Sequence, residues 1–255
     1  MVKVSFSLTK WCLRKYFIPS SKIKTIKGWL WFFISRIVVL FSSFYFLLTL
    51  LFSLVPIPFS AYMLEKQIEH IGSSDYQQNY EWVRADKIAW QMKMAAIAGE
   101  DQKFDQHYGV DWDSIKSVVT GSIFGDAKLR GASTISQQTV KNLYLWHGTS
   151  WIRKGIELPL TLLIETLWSK ERILEVYLNI AEFGEGIFGV EAAAKHYFHK
   201  SASSLNLSEA SLLAASLPNP LIFKVSNPNA QMRKKQQWII SQIRNLGGRQ
   251  YLEKL

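Results

Sequence analysis

Glu100 and Asp101 stand side by side at the end of an apolar run, with Phe104, His107 and Gly109 close behind in "EDQKFDQHYGVD". Gly109 alone would serve a turn. Two carboxylates, an aromatic ring and an imidazole are more than a connection needs. A carboxylate at a helix C-terminus meets the negative end of the macrodipole, which disfavours its ionised form and raises its pKa. That suits a group that accepts a proton near neutral pH. The competing account is a surface carboxylate pair on a frayed helix end.

A second cluster is "RGASTISQQTVKN", residues 130–142. On a helix Ser133, Gln137 and Lys141 fall in one row, and Thr134, Gln138 and Asn142 in the next. Two rows of hydroxyls and amides offer the paired donors and acceptors that sugar hydroxyls need, and Lys141 adds a point charge suited to phosphate. The alternative is an ordinary solvated helix face. In "WIRKGIE", residues 151–157, Arg153 and Lys154 precede Glu157 by four and three positions, so both cations reach that carboxylate. Facing a cleft, they would form a site for a doubly charged phosphate; facing solvent, they are a weak surface ion pair. In the stretch 168–198, Ile173, Leu174, Tyr177 and Leu178 have core spacing. Asn179 and Glu182 are placed to bond nearby loops, and His196 and His199 beside Lys195 and Lys200 read as a solvated basic face rather than metal ligands.

These residues need helices to position them. The pattern predicts a helix over 87–98 with Asp86 as N-cap, and a second from Asp111 or Asp113 to about Phe124. A glycine-containing loop follows at 125–132. Ser133 is expected to open a polar helix to about Trp146, and an apolar helix runs over 151–168, where Pro159 predicts a kink or a late start. Further helices are expected at 170–182, over "VEAAAKHYF", after Ser208 as cap, and at 229–246 with a stop at Gly247 and Gly248. "FGEGIFG" reads as a loop. No strand run or repeat stands out, so the fold class is mainly α.

The 255 residues carry a net charge of +10, unevenly placed. Residues 1–36 hold eight Lys or Arg and no acid, leaving 22 basic against 20 acidic residues in the rest. Residues 37–55 contain no charge, and at about 1.5 Å per residue they span close to the ~30 Å hydrocarbon core of a bilayer. Trp29 and Trp31 stand at one end, Pro56 and Pro58 at the other. A cleaved signal peptide is the weaker account, because the run is too long and no A-x-A site follows. The positive-inside rule puts the tail in the cytoplasm and residues 60–255 outside. The one cysteine, Cys12, lies in the tail, so the exported part can form no internal disulfide. The expected organisation is a basic cytoplasmic tail (1–36), a transmembrane helix (37–55), a membrane-proximal connector (56–85) and a catalytic domain (86–255).

Taken in order, "EDQKFDQHYGVD", "RGASTISQQTVKN", "RKGIE", "SKERILEVYLN", "EAAAKHYF" and "LAASLPNP" resemble the bacterial peptidoglycan glycosyltransferases in their monofunctional Gram-negative form. The resemblance covers roughly residues 80–250 plus the anchor. It implies a lysozyme-like, mainly α-helical fold behind a single transmembrane helix in the inner membrane, with a periplasmic catalytic domain. It implies polymerisation of lipid-linked disaccharide-pentapeptide (lipid II) into β-1,4 glycan with loss of undecaprenyl pyrophosphate. Glu100 would be the general base and Glu157 a second catalytic glutamate near the pyrophosphate or the acceptor. The implied substrate-binding set is Asp101, Phe104, His107, Ser133, Thr134, Gln137, Gln138, Lys141, Asn142, Arg153 and Lys154, with Phe104 and His107 also holding their loop. No cofactor is implied as permanently bound; a divalent cation, Mg or Mn, is implied at the substrate pyrophosphate. The implied partners are lipid II and the growing lipid-linked chain, membrane lipids, and other wall-synthesis or division proteins, with no nucleic acid. The length is expected to leave no room for a transpeptidase domain.

Two other classes compete. A glycan-cleaving lysozyme or lytic transglycosylase would share the fold and a catalytic glutamate, but has no use for Lys141, Arg153 and Lys154 at a pyrophosphate. A non-catalytic anchored scaffold that binds glycan would be indifferent to Glu100→Gln.

Overall fold

The computed structural model describes residues 25–113, 116, 133–148 and 150–255. The loop expected at 125–132, most of the helix expected up to Phe124, and residues 1–24 of the basic tail lie outside the described residues. The chain divides into two compact units, Met1–Leu51 and Phe52–Leu255. In the first, helix α1 begins, running Ile26–Phe52. It is long and apolar enough to cross a membrane, and its large side chains, among them Leu47, Phe44 and Ile37, are mostly exposed. An exposed apolar surface of this kind matches a lipid environment better than water.

The second unit is built from helices α2 (Ala61–Glu69), α3 (Trp90–Glu100), α4 (Ile135–Tyr144), α5 (Trp151–Leu167), α6 (Lys170–Ile180), α7 (Val190–Phe198), α8 (Leu207–Ser216) and α9 (Ala230–Asn245). Helix α3 lies at its centre. Met92, Met94 and Ile97 are fully buried, each such side chain contributing about 1.5–3 kcal/mol relative to exposure. α3 packs on α8 and α9, and Gly99 allows the close approach: a Cβ there would stand 3.3 Å from Ile239 Cδ1. The same packing carries Glu100, the last residue of α3, to the edge of the core. On the other side α4 packs against α5 and α6.

Several local expectations are corrected. Asp86 does not cap α3; it lies in a separate 3-10 turn, Ala85–Lys87, paired with Arg84, and α3 begins at Trp90. Thr134, not Ser133, caps α4, and Asn206, not Ser208, caps α8. In both, a Gln or Glu three residues on closes a capping box, which satisfies two backbone N–H groups reciprocally. Pro159 neither delays nor interrupts α5, which runs through it.

Residues 56–85, expected as a connector, are packed into the second unit. Ile57 and Met63 are buried, Ser60 caps α2, and the Tyr80 hydroxyl donates to the Ile57 carbonyl. A small sheet also appears where none was expected. β1 (Asn79–Tyr80) pairs in parallel with β3 (Ile187–Phe188), and β2 (Glu182–Gly184) pairs antiparallel with β3 across a bulge. Strands of two or three residues are too short to show an alternating pattern. As expected, Asn179 and Glu182 bond neighbouring segments: Asn179 pairs with both backbone groups of Val83, and Glu182 accepts from Tyr62.

Candidate active site

Glu100 emerges from α3 with its side chain 11% exposed, facing two groups from distant segments. Gln138 Nε2 donates to its Oε2 at 3.1 Å, and Lys235 Nζ lies 3.3 Å from its Oε1. Burial is the largest influence on its acidity and raises its pKa; Lys235 and Gln138 pull it back, and Asp101 pushes it up again. Burial therefore takes the leading role that the sequence assigned to the helix dipole. Gln138 is itself oriented, because the hydroxyl of buried Tyr177 donates to its Oε1 at 3.2 Å and turns the amide N–H₂ towards the carboxylate.

The loop after Glu100 is held from within. Asp101 accepts from His107 Nε2 at 2.9 Å and from the backbone N–H of Ile135 at 2.9 Å, tying the loop to the first residue of α4. Gly109 has φ +78°, and an added Cβ would stand 2.7 Å from Thr161 Cγ2, so the turn needs glycine. Its carbonyl accepts from the Thr134 hydroxyl at 2.6 Å. Phe104 is fully buried, under the Lys170 ammonium at 4.6 Å.

These contacts redistribute the expected substrate-binding set. Phe104 has no surface to offer a sugar, so its assignment there is corrected to packing. Asp101 and His107 spend their paired atoms on each other. Thr134 and Gln137 are buried in the capping box, and Asn142 is turned inward at 8% exposure. The single broad polar face on α4 is therefore not formed. What remains partly exposed beside Glu100 is Gln138 and, one turn on, Lys141; Ser133 is exposed just ahead of the helix.

Arg153, Lys154 and Glu157 form a second centre. Ser150 caps α5, and the first turns bring Arg153 Nη1 to 2.7 Å from Glu157 Oε2, with Lys154 Nζ on Oε1. The Glu157 side chain is only 3% exposed, so this is not a solvated surface pair. Lys141 belongs to the same electrostatic cluster: burial lowers its pKa most, Arg153 and Lys154 lower it further, and Glu157 and Glu100 raise it. Two cations thus pair directly with one carboxylate and Lys141 feels all three charges, leaving positive charge in excess in a partly desolvated place. Since Gln138 and Lys141 are three residues apart on α4, they share a face. That face links the Glu100 carboxylate to the Arg153–Glu157 cluster. Arrangements of this kind can remove a proton at one end and stabilise an anionic oxygen at the other.

Two residues at the site escaped the reading of the sequence. Tyr177 was assigned to the core, and it is buried, but its hydroxyl also orients Gln138. Lys235 lies on α9 in a run of charged and amide residues with no local mark of its role.

A family model described as Transglycosylase matches residues 65–244. Among similar curated proteins, a biosynthetic peptidoglycan transglycosylase of Mannheimia succiniciproducens is 59% identical over 210 residues, 82% of this chain and 85% of that protein. Proteins of the same name from Haemophilus influenzae and Escherichia coli are each 53% identical, over 83% and 87% of this chain and 87% and 92% of theirs.

Proposed function

The chain belongs to the transglycosylase family of peptidoglycan glycosyltransferases, and from that premise we propose that it polymerises lipid II into β-1,4 glycan by inverting transfer, with Glu100 as general base. The observation that supports this reading is that Gln138 donates to Glu100 while Lys141, three residues further along the same helix, feels the charges of Arg153, Lys154 and Glu157.

In this reaction the acceptor 4-hydroxyl oxygen forms a bond to the anomeric carbon of the donor chain as its proton passes to the Glu100 carboxylate. The bond from that carbon to the diphosphate oxygen breaks, and its electron pair leaves with undecaprenyl pyrophosphate. Burial raises the basicity of Glu100, while Lys235 and Gln138 oppose that rise and aim the carboxylate. Lys141, Arg153 and Lys154 receive the charge that develops on the leaving group. Glu157 holds Arg153 and Lys154 in place, a second catalytic role through the cations it orients. Fixing both sugars in line supplies a further large part of the rate.

The divalent cation implied by the resemblance would ride on the substrate diphosphate. The side chains at this end are cations, and both oxygens of Glu157 are engaged by them. They do not fit a resident metal, so no step is routed through one. Helix α1 supports residence at the membrane that holds the lipid-linked substrate, and the basic tail ahead of it supports a cytoplasmic N-terminus with the catalytic unit on the periplasmic side. A glycan-cleaving reaction would leave the three cations without a task.

The test is incubation of the purified membrane-anchored protein with labelled lipid II, followed by lysozyme digestion. Lysozyme-sensitive polymer from the wild type and none from Glu100→Gln is the expected result. Polymer from that variant at the wild-type rate would overturn the assignment.

A further inference from the structure

His147 lies in the turn between α4 and α5 and is grasped by α2. Its backbone N–H donates to Glu65 Oε2 at 2.9 Å, and its Nδ1 lies 3.3 Å from the same oxygen. Its ring stacks on Tyr62, with centroids 3.6 Å apart at 29°. Tyr62 is fixed in turn. Its hydroxyl donates to Glu182 Oε2 at 2.6 Å, and its ring meets Phe188 edge-on at 5.7 Å. The grip therefore reaches back to the β2–β3 hairpin.

The next residue passes the grip forward. The Gly148 carbonyl accepts from Arg153 Nε at 3.1 Å, and the other edge of that guanidinium donates to Glu157. Gly148 has φ +116°, with nothing within 4 Å of where a Cβ would be. Crowding does not hold this turn; hydrogen bonds do. The imidazole is itself kept neutral. Burial first, then the nearby Lys141 and Arg153 charges, push its pKa down to about 4, against the pull of Glu65. A neutral ring with its hydrogen on Nδ1 donates to Glu65 without adding a fourth positive charge to the cluster.

We propose that His147 is a positioning residue for the diphosphate end of the cleft: clasped by Tyr62 and Glu65, it fixes the turn whose Gly148 carbonyl aims Arg153 at the leaving group. This rests on the assignment of Arg153 to the diphosphate. It gives the segment that follows α1, where the sequence suggested only a connector, a part in substrate binding.

The experiment measures KM and kcat for lipid II in detergent micelles with the full chain, for wild type, His147→Ala, His147→Asn and Glu65→Gln, beside Glu100→Gln and Glu69→Ala. Glu69 pairs with Lys66 on the same helix, outside the clasp, and should leave both constants unchanged. His147→Ala should raise KM about fivefold or more with kcat within about twofold, the signature of lost binding rather than lost chemistry. An Asn at this position offers an amide N–H near the place of Nδ1–H, so His147→Asn should restore most of the KM. Glu65→Gln keeps the shape, loses the anionic acceptor, and should raise KM in the same sense. Unchanged KM in both His147→Ala and Glu65→Gln overturns the proposal. So does a loss of activity in step with a loss of folded protein by thermal melt, or no rescue by Asn. An active Glu100→Gln would instead overturn the reaction on which the proposal rests.

Discussion

Lys235 Nζ and Glu100 Oε1 lie 3.3 Å apart although 135 residues separate them in the chain. Helix α9 thus supplies the charge that offsets the burial of the candidate base. Removing it in Lys235→Met leaves only the Gln138 hydrogen bond to oppose burial and raises the Glu100 pKa further. A base works when deprotonated, so the ascending acid limb of kcat/KM against pH should move to higher pH, with activity at neutral pH reduced. A limb that stays in place would show that Lys235 does not tune the base.

Glu100→Gln carries a second consequence. The folded-state pKa of Glu100 is raised, so the native state binds more protons than the unfolded one. The ionised side chain costs no stability below the unfolded pKa, and the cost grows as pH rises through the folded value. The variant should lose polymerisation by about 10²–10⁴-fold, yet melt no lower than wild type at neutral pH and depend less on pH above the usual carboxylate range. A clear drop in melting temperature at neutral pH would mean that Glu100 stabilises the fold and is not held there at a cost.

Lys141 presents the same trade with the opposite charge. Burial, Arg153 and Lys154 all disfavour its ammonium, so the native state binds this proton less readily than the unfolded chain. Its folded pKa is lowered, so the cost of charging it is absent above the unfolded value and builds as pH falls from there through the folded value. Lys141→Gln should leave the melting temperature equal or higher at neutral pH while the KM for lipid II rises. A destabilised variant with unchanged KM would place Lys141 in the architecture instead of the site.

What the sequence disclosed was mostly local. The i, i+4 and i, i+3 approach of Arg153 and Lys154 to Glu157 follows from helix geometry alone and is present in the structure. Their burial is not local, because it depends on how α4 and α5 pack. The cap of α4 was legible too: a Gln stands three residues after Thr134 but not after Ser133, and the capping box decides between the two hydroxyls. The expected polar face fails for another reason: Ser133 and Thr134 stand ahead of the helix, and Thr134, Gln137 and Asn142 are buried. Lys235, the ring of His147 on Tyr62, and the two- and three-residue strands are tertiary facts with no periodicity or spacing to reveal them.

Two glycines should respond in opposite directions. Gly189 precedes α7 with φ +83°, and an added Cβ would stand 2.6 Å from the backbone oxygen of Asn179. Asn179 also holds both backbone groups of Val83, at 2.8 Å each, so it cannot move aside freely. Gly189→Ala should destabilise by at least about 1–3 kcal/mol, through strain at a positive φ and a backbone clash. At about 2–4 °C per kcal/mol for a domain of this size, melting falls visibly. Gly155 lies inside α5 with nothing within 4 Å of its would-be Cβ and no positive φ. Alanine there should stabilise by about 0.5–1 kcal/mol, because glycine loses more conformational freedom in a helix. Thermal melts of the two variants decide the point: equal shifts, or a loss at Gly155, would mean that the α5 backbone around Arg153 and Glu157 is not the regular helix described.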